Sequence, residues 1–183
     1  MEEVVARQPS YEPREHILLA EVYIEKAKSD PSFFEKAEEH LRAALSLSPD
    51  RQDTSYLLAF SLAGQDRFDE SVALMREVVA KSPQVAKAHY NLGLELTLAG
   101  REHWDEADAE LAEALEIGFL GAQFRWQVGY GDLENIIIIY ESMLSRYLVE
   151  RDRERSLRTA ERLKTVDETY ASDMNVIIDL INK

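Results

Sequence analysis

The side chains with the most chemical potential in this chain are its histidines and its runs of carboxylates and arginines. The histidines, His16, His40, His89 and His103, are dispersed, and none forms the i, i+4 pair through which one helix face grips a transition metal. Asp105, Glu106, Asp108, Glu110, Glu113 and Glu116 crowd one segment with carboxylates. An oxygen-only calcium site needs a loop that wraps the ion, which a straight helix does not supply, so the segment reads as a solvated acidic face or a docking surface for a basic partner. Arg151, Arg153, Arg155, Arg158 and Arg162 alternate with Asp152, Glu154 and Glu161, a pattern of local ion pairs rather than a phosphate patch. Gly129-Tyr130-Gly131 lacks the preceding strand and third glycine of a phosphate-binding loop and reads as a helix break. No nucleophile, base and oxyanion set emerges, so the expectation is a chain that is not an enzyme and needs no metal or cofactor.

The elements that carry these residues follow a period. A shift of 34 pairs Pro49 with Pro83, Phe34 with Phe68, Ala37 with Ser71, Leu41 with Met75, Ala44 with Val78, Tyr56 with Tyr90, Leu58 with Leu92, Ala59 with Gly93 and Leu62 with Leu96. A fixed period of this length is the signature of a helical solenoid. Within one unit, Tyr56, Leu58, Ala59 and Leu62 keep helical spacing until Gly64-Gln65-Asp66 breaks it; a second helix runs from Phe68 through Met75 to Lys81-Ser82-Pro83. Ala59 and Ser71 would let the two helices approach closely, and Ala44, Val78 and Ala114 would do so where one pair meets the next.

The runs Leu58-Ala59, Leu62, Asp66, Phe68, Ser71, Met75, Val78, Pro83 and Tyr90, Leu92-Gly93, Leu96, Gly100, Trp104, Ala107, Leu111, Ala114 resemble tetratricopeptide repeats. The resemblance implies an all-α, right-handed superhelix of antiparallel helix pairs whose first helices line a concave groove for a peptide or a partner's helix. In that frame the inward positions include Ile17, Glu21, Tyr56, Phe60, Tyr90, Asn91 and Leu94, a mostly apolar and aromatic wall; some of these could instead pack between repeats. Family members that grip a C-terminal carboxylate use Lys, Arg and Asn along this wall. Only Asn91, with Arg14 and Lys87 at the edge, is of that type, and Glu21 would repel such a ligand, so an amphipathic helix or an extended apolar peptide is the better expectation.

The repeats are expected at 14–49, 52–83 and 85–118 within one domain spanning 1–183. Asp30-Pro31 is read as the cap of the second helix of the first repeat, and Arg101-Glu102-His103 as a two-residue insertion that puts Trp104 36 residues after Phe68. Gly118 is the expected end of the third repeat, followed by an irregular connector over 119–135 in which 119–131 reads as a short helix. A degenerate fourth repeat at 136–168 holds Tyr140, Met143, Tyr147, Ser156, Ala160 and Leu163, and 169–183 would be a capping helix. Residues 3–9 repeat 77–83 closely, Glu3-Val4-Val5-Ala6 against Glu77-Val78-Val79-Ala80, so 1–9 reads as the tail of a preceding, truncated repeat and Met1 as other than the native start.

A net charge of -14 disfavours nucleic acid and anionic membranes and either favours a basic partner or only solubilises the surface. No apolar run reaches the roughly 18 residues of a membrane span, so direct membrane insertion by this segment is not expected, and Met1-Glu2-Glu3 is acidic where a signal peptide is basic. The absence of cysteine excludes a disulfide framework and leaves the compartment open, the cytoplasm being the default. Two further readings concern assembly. Leu47-Ser48-Pro49-Asp50-Arg51-Gln52-Asp53-Thr54 and the repeat ending Glu116-Ile117-Gly118-Phe119 are similar to repeat arrays on bacterial O-antigen ligase and polymerase-type membrane proteins, which implies a regulatory or recruiting appendage tethered to a membrane enzyme. The other is a homo-oligomer formed through an exposed repeat face or the aromatic segment 119–131.

Overall fold

The computed structural model describes residues 12–120 and 130–183. The expected tail at 1–9 and most of the connector, 121–129, lie outside the described residues. All regular structure among the described residues is helical, and it forms a helical-repeat fold. Two compact units, Met1–Lys81 and Ser82–Lys183, are taken separately.

In the first unit, α1 (Pro13–Ala27), α2 (Phe33–Leu47), α3 (Gln52–Ala63) and α4 (Phe68–Lys81) follow one another through short turns, which makes neighbours antiparallel. Proline opens α1 where its missing N–H costs nothing, and the Glu12 N–H donates to Glu15 Oε2 at 3.0 Å in a capping box. Asp30 does not cap α2 directly: its Oδ1 accepts from the Ser32 N–H at 3.1 Å, a turn that sets the chain before α2 starts at Phe33. Ala20, Ala37, Leu41, Leu58 and Leu62 form the buried core, with Tyr23, Ile24, Leu45, Leu57 and Leu74 packed round it. Packed against both α2 and α4, α3 buries Thr54, Ser55, Leu58, Ala59, Ser61, Leu62 and Ala63, so its apolar pattern wraps round more than one face. Glu38 ties these elements together, accepting from Arg42 Nε at 2.7 Å, Gln65 Nε2 at 2.9 Å and Arg67 Nη1 at 2.6 Å. Burial works to raise its pKa, but those hydrogen bonds outweigh it and hold the carboxyl below the ordinary glutamate value.

The second unit contains α5 (Ala86–Ala99), α6 (Trp104–Leu120), α7 (Tyr130–Glu150), α8 (Arg153–Val166) and α9 (Ala171–Ile181). The insertion at Arg101-Glu102-His103 becomes a 3₁₀ turn, entered through Gly100 at φ 136, a backbone state open to glycine and strained for other residues. Gly118 does not stop its helix, because α6 continues to Leu120; one interior glycine costs only about 1 kcal/mol relative to alanine. Residues 130–135, read from sequence as connector, form the start of α7. Ile136, Tyr140, Met143, Leu144 and Tyr147 of α7 and Ser156, Ala160 and Leu163 of α8 are all buried. Packing between α8 and α9 follows a 3₁₀ turn at Glu168–Tyr170, and α9 buries Met174. Among the described residues, no helix is long and apolar enough to cross a membrane.

Gly93 is where α5 and α6 come closest. A Cβ there would stand 2.7 Å from Leu111 Cγ, 2.8 Å from its Cδ2 and 3.3 Å from the Ala107 carbonyl oxygen. Gly93→Ala should gain about 1 kcal/mol of helix propensity and lose about 1–3 kcal/mol to overpacking. Overpacking wins, and the variant should be less stable by up to roughly 2 kcal/mol in chemical denaturation followed by circular dichroism.

Candidate functional site

The positions expected to face a ligand divide between the two units. In the first, α1 packs its Ile17 and Ala20 side into the core and turns Leu18, Glu21 and Val22 outward; Leu18 is 51% exposed and Val22 52%. Phe60 on α3 is 44% exposed and meets Phe34 edge to face, with 5.9 Å between ring centroids. One turn earlier, Tyr56 is half-buried and its hydroxyl donates to Gln52 Oε1 at 3.2 Å. Burial, aided by the Asp53 charge, pushes the Tyr56 phenol up to about 12, so it is a neutral hydroxyl at physiological pH. Glu21, Tyr56 and Phe60 are thus available at the surface, while Ile17, 8% exposed, belongs mostly to packing.

In the second unit Tyr90 is only 3% exposed. Its hydroxyl accepts from Asn135 Nδ2 at 3.0 Å, and the Lys87 ammonium sits 4.7 Å from its ring centre while pairing with Asp132 at 2.7 Å. Asn91 and Leu94 are half-buried, and the Asn91 amide donates to the Lys87 carbonyl at 2.7 Å on its own helix. Lys87 and Asn91 therefore spend on α5 and α7 the donors that a carboxylate grip would need.

Two clusters were hidden in the sequence. His16 and His40, 24 residues apart, bring their Nδ1 atoms to 2.9 Å, with Tyr23 stacked 5.6 Å from the His40 ring. Burial first, then the neighbouring His16, holds the His40 pKa below the ordinary histidine value. Buried His89 meets Glu110 Oε2 at 2.6 Å through Nδ1 and the Pro83 carbonyl at 3.0 Å through Nε2. Among the described residues, no group of three or more His, Cys, Asp or Glu side chains is placed to hold a metal ion.

The acidic run of α6 and the arginines of α8 are each other's partners. Arg155 Nε lies 3.0 and 3.2 Å from the two Asp105 oxygens, and Arg158 also donates to Asp105. Asp108, with a side chain 10% exposed, takes Arg158 Nε at 3.0 Å and Arg162 Nε at 3.3 Å. The local pair expected from sequence is present too, Arg155 to Asp152 at 2.8 Å, so one guanidinium serves both its own helix turn and α6. Sequence spacing could show only the local partner.

A family model described as tetratricopeptide repeat matches residues 34–92, from Phe34 in α2 to Leu92 in α5. Over that stretch the chain is similar to tetratricopeptide repeats. Comparison with curated proteins found no match. The tetratricopeptide match spans the stretch whose 34-residue shift pairs Tyr56 with Tyr90 and Ala59 with Gly93. It leaves the ion-paired helices α6 and α8 beyond the matched residues.

The hydrogen bond from Arg155, together with that from Arg158, outweighs burial and holds the Asp105 pKa at about 2. A depressed carboxylate pKa stabilises the fold above the unfolded value, about 3.9, and that stabilisation is lost as pH falls towards 2. Because the Asp105 side chain is 50% exposed, solvent screening limits it to about 0.2–1 kcal/mol. Asp105→Asn should be less stable than the parent by that amount at pH 7, and the two melting curves should converge as pH is lowered from about 4 towards 2.

Proposed function

We propose that the chain is a non-catalytic interaction scaffold that holds a peptide or a partner's helix on the outward faces of the first helices of its repeats. The observation that carries this is in the first unit: Leu18 and Val22 on α1 and Phe60 on α3 stay exposed although the same helices bury Ile17 and Ala20, and Leu58, Ala59 and Leu62, in the core. Apolar side chains at i, i+4 on one helix and an aromatic ring on the next suit the anchors of an amphipathic helix. Glu21 and Asp53 lie on the same two helices, exposed, and a net charge of -14 surrounds them. The ligand these features fit has aliphatic or aromatic anchors flanked by lysine or arginine, with charge setting the approach and apolar burial the affinity.

A displayed peptide library selected against the intact chain tests this. Enriched sequences should place two or three apolar residues at helical spacing beside basic ones. Phe60→Ala combined with Val22→Ala should weaken the selected peptides by at least about tenfold, roughly 1.4 kcal/mol, while the thermal transition stays cooperative and shifts only modestly, Val22 being 52% and Phe60 44% exposed. Selected peptides that bind the double variant as well as the parent would overturn the reading.

A further inference from the structure

The outer side of α9 is an exposed aliphatic stripe. α9 carries Val176, Ile177, Ile178, Leu180 and Ile181 in a helix whose buried residue is Met174; Val176 is 59% and Leu180 64% exposed. Beside this stripe is a cavity of about 370 Å³ lined by Leu148, Arg151, Arg153, Ser156, Ile177, Leu180 and Ile181. The lining contains two arginines and no carboxylate, in a chain with 35 acidic residues against 21 basic ones.

Arg151 is the unusual member. It sits at φ 59, where glycine is the common choice after a helix, and the helix end is closed round it by the Arg151 N–H to the Leu148 carbonyl at 3.2 Å and the Asp152 N–H to the Tyr147 carbonyl at 2.9 Å. Its side chain is exposed and makes no ion pair or hydrogen bond among the described residues. Arg153, by contrast, is anchored to α9, donating to the Ile181 carbonyl at 3.2 Å and to Asn182 Oδ1 at 2.8 Å. Asp173 and Asp179 of α9 are exposed and, like Arg151, have no side-chain partner among the described residues.

The ligand this surface asks for is therefore a helix with aliphatic residues at i, i+4 and free carboxylates beside them, and α9 itself is such a helix. We infer that two chains associate through their α9 faces about a two-fold axis, burying Leu180 and Val176 of each against the other and pairing Arg151 of each with an α9 carboxylate of its partner. A two-fold contact makes every favourable pair twice, so modest contacts on one copy suffice for association. The face is separate from the one proposed for peptide capture and stands or falls independently of it.

Sedimentation equilibrium of the intact chain across roughly a hundredfold range of concentration tests the inference. The weight-average mass should rise from one chain towards two. Leu180→Glu should hold it at one chain across the range, with an unchanged circular dichroism spectrum since the side chain is mostly exposed. Arg151→Glu and Asp179→Arg should each weaken association by at least about tenfold, and an equimolar mixture of the two variants should recover part of that loss. A parent that stays at one chain throughout, or charge variants that associate as well as the parent, would overturn the proposal.

Discussion

The packing of helix against helix in this protein depends on small side chains where two helices cross. Ala20 and Ala37 in the first unit, and Gly93, Ala107 and Ala114 in the second, are buried at the seams and leave room for backbones and large neighbours to approach. A helix pair of this length cannot bury its apolar stripe alone; it becomes stable only when the next element covers the remaining side. The large residues Leu41, Leu62, Met75, Leu96 and Leu111 supply the buried area, but the small ones determine whether it can be buried. The Leu111 side chain shows the constraint directly, since it fills the space that a Cβ on Gly93 would need.

What sequence made legible was local or periodic. The 34-residue shift located Leu58, Ala59, Leu62, Ser71 and Met75 in the core because a repeated environment leaves a repeated residue. Helix ends at Ala63 and Lys81 announced themselves through glycine and proline. What was illegible depends on contacts between distant residues. Nothing in the spacing of Asp105 or Arg155, 50 residues apart, says that they meet, because an arginine run beside its own carboxylates already looks satisfied. His16 and His40 were likewise separated by a turn whose path no local signal fixes. The repeat register leads one to expect Tyr90 to face a ligand, yet it is buried and bonded to Asn135 of α7, a residue beyond the third repeat.

The positive charges are distributed in a way that bears on recognition. Arg67, Lys87, Arg155, Arg158 and Arg162 join elements to one another through Glu38, Glu70, Asp132, Asp105 and Asp108. A cation already facing a carboxylate at contact distance presents little field to an approaching molecule. Exposed carboxylates without a partner among the described residues, such as Glu21 on α1, then dominate the field at the surface.

The ladder between α6 and α8 also works as a vernier. Asp105 and Asp108 are one turn apart on α6, and Arg155, Arg158 and Arg162 climb α8 at the same pitch, so each carboxylate touches two guanidiniums and Arg158 bridges both rungs. Sliding α8 by one turn, about 5.4 Å, would carry its buried Ser156, Ala160 and Leu163 out of register. The same slide would leave an end rung without its partner and bring an unlike spacing to the middle one. The comb of charges and the close packing of the buried residues specify the same alignment.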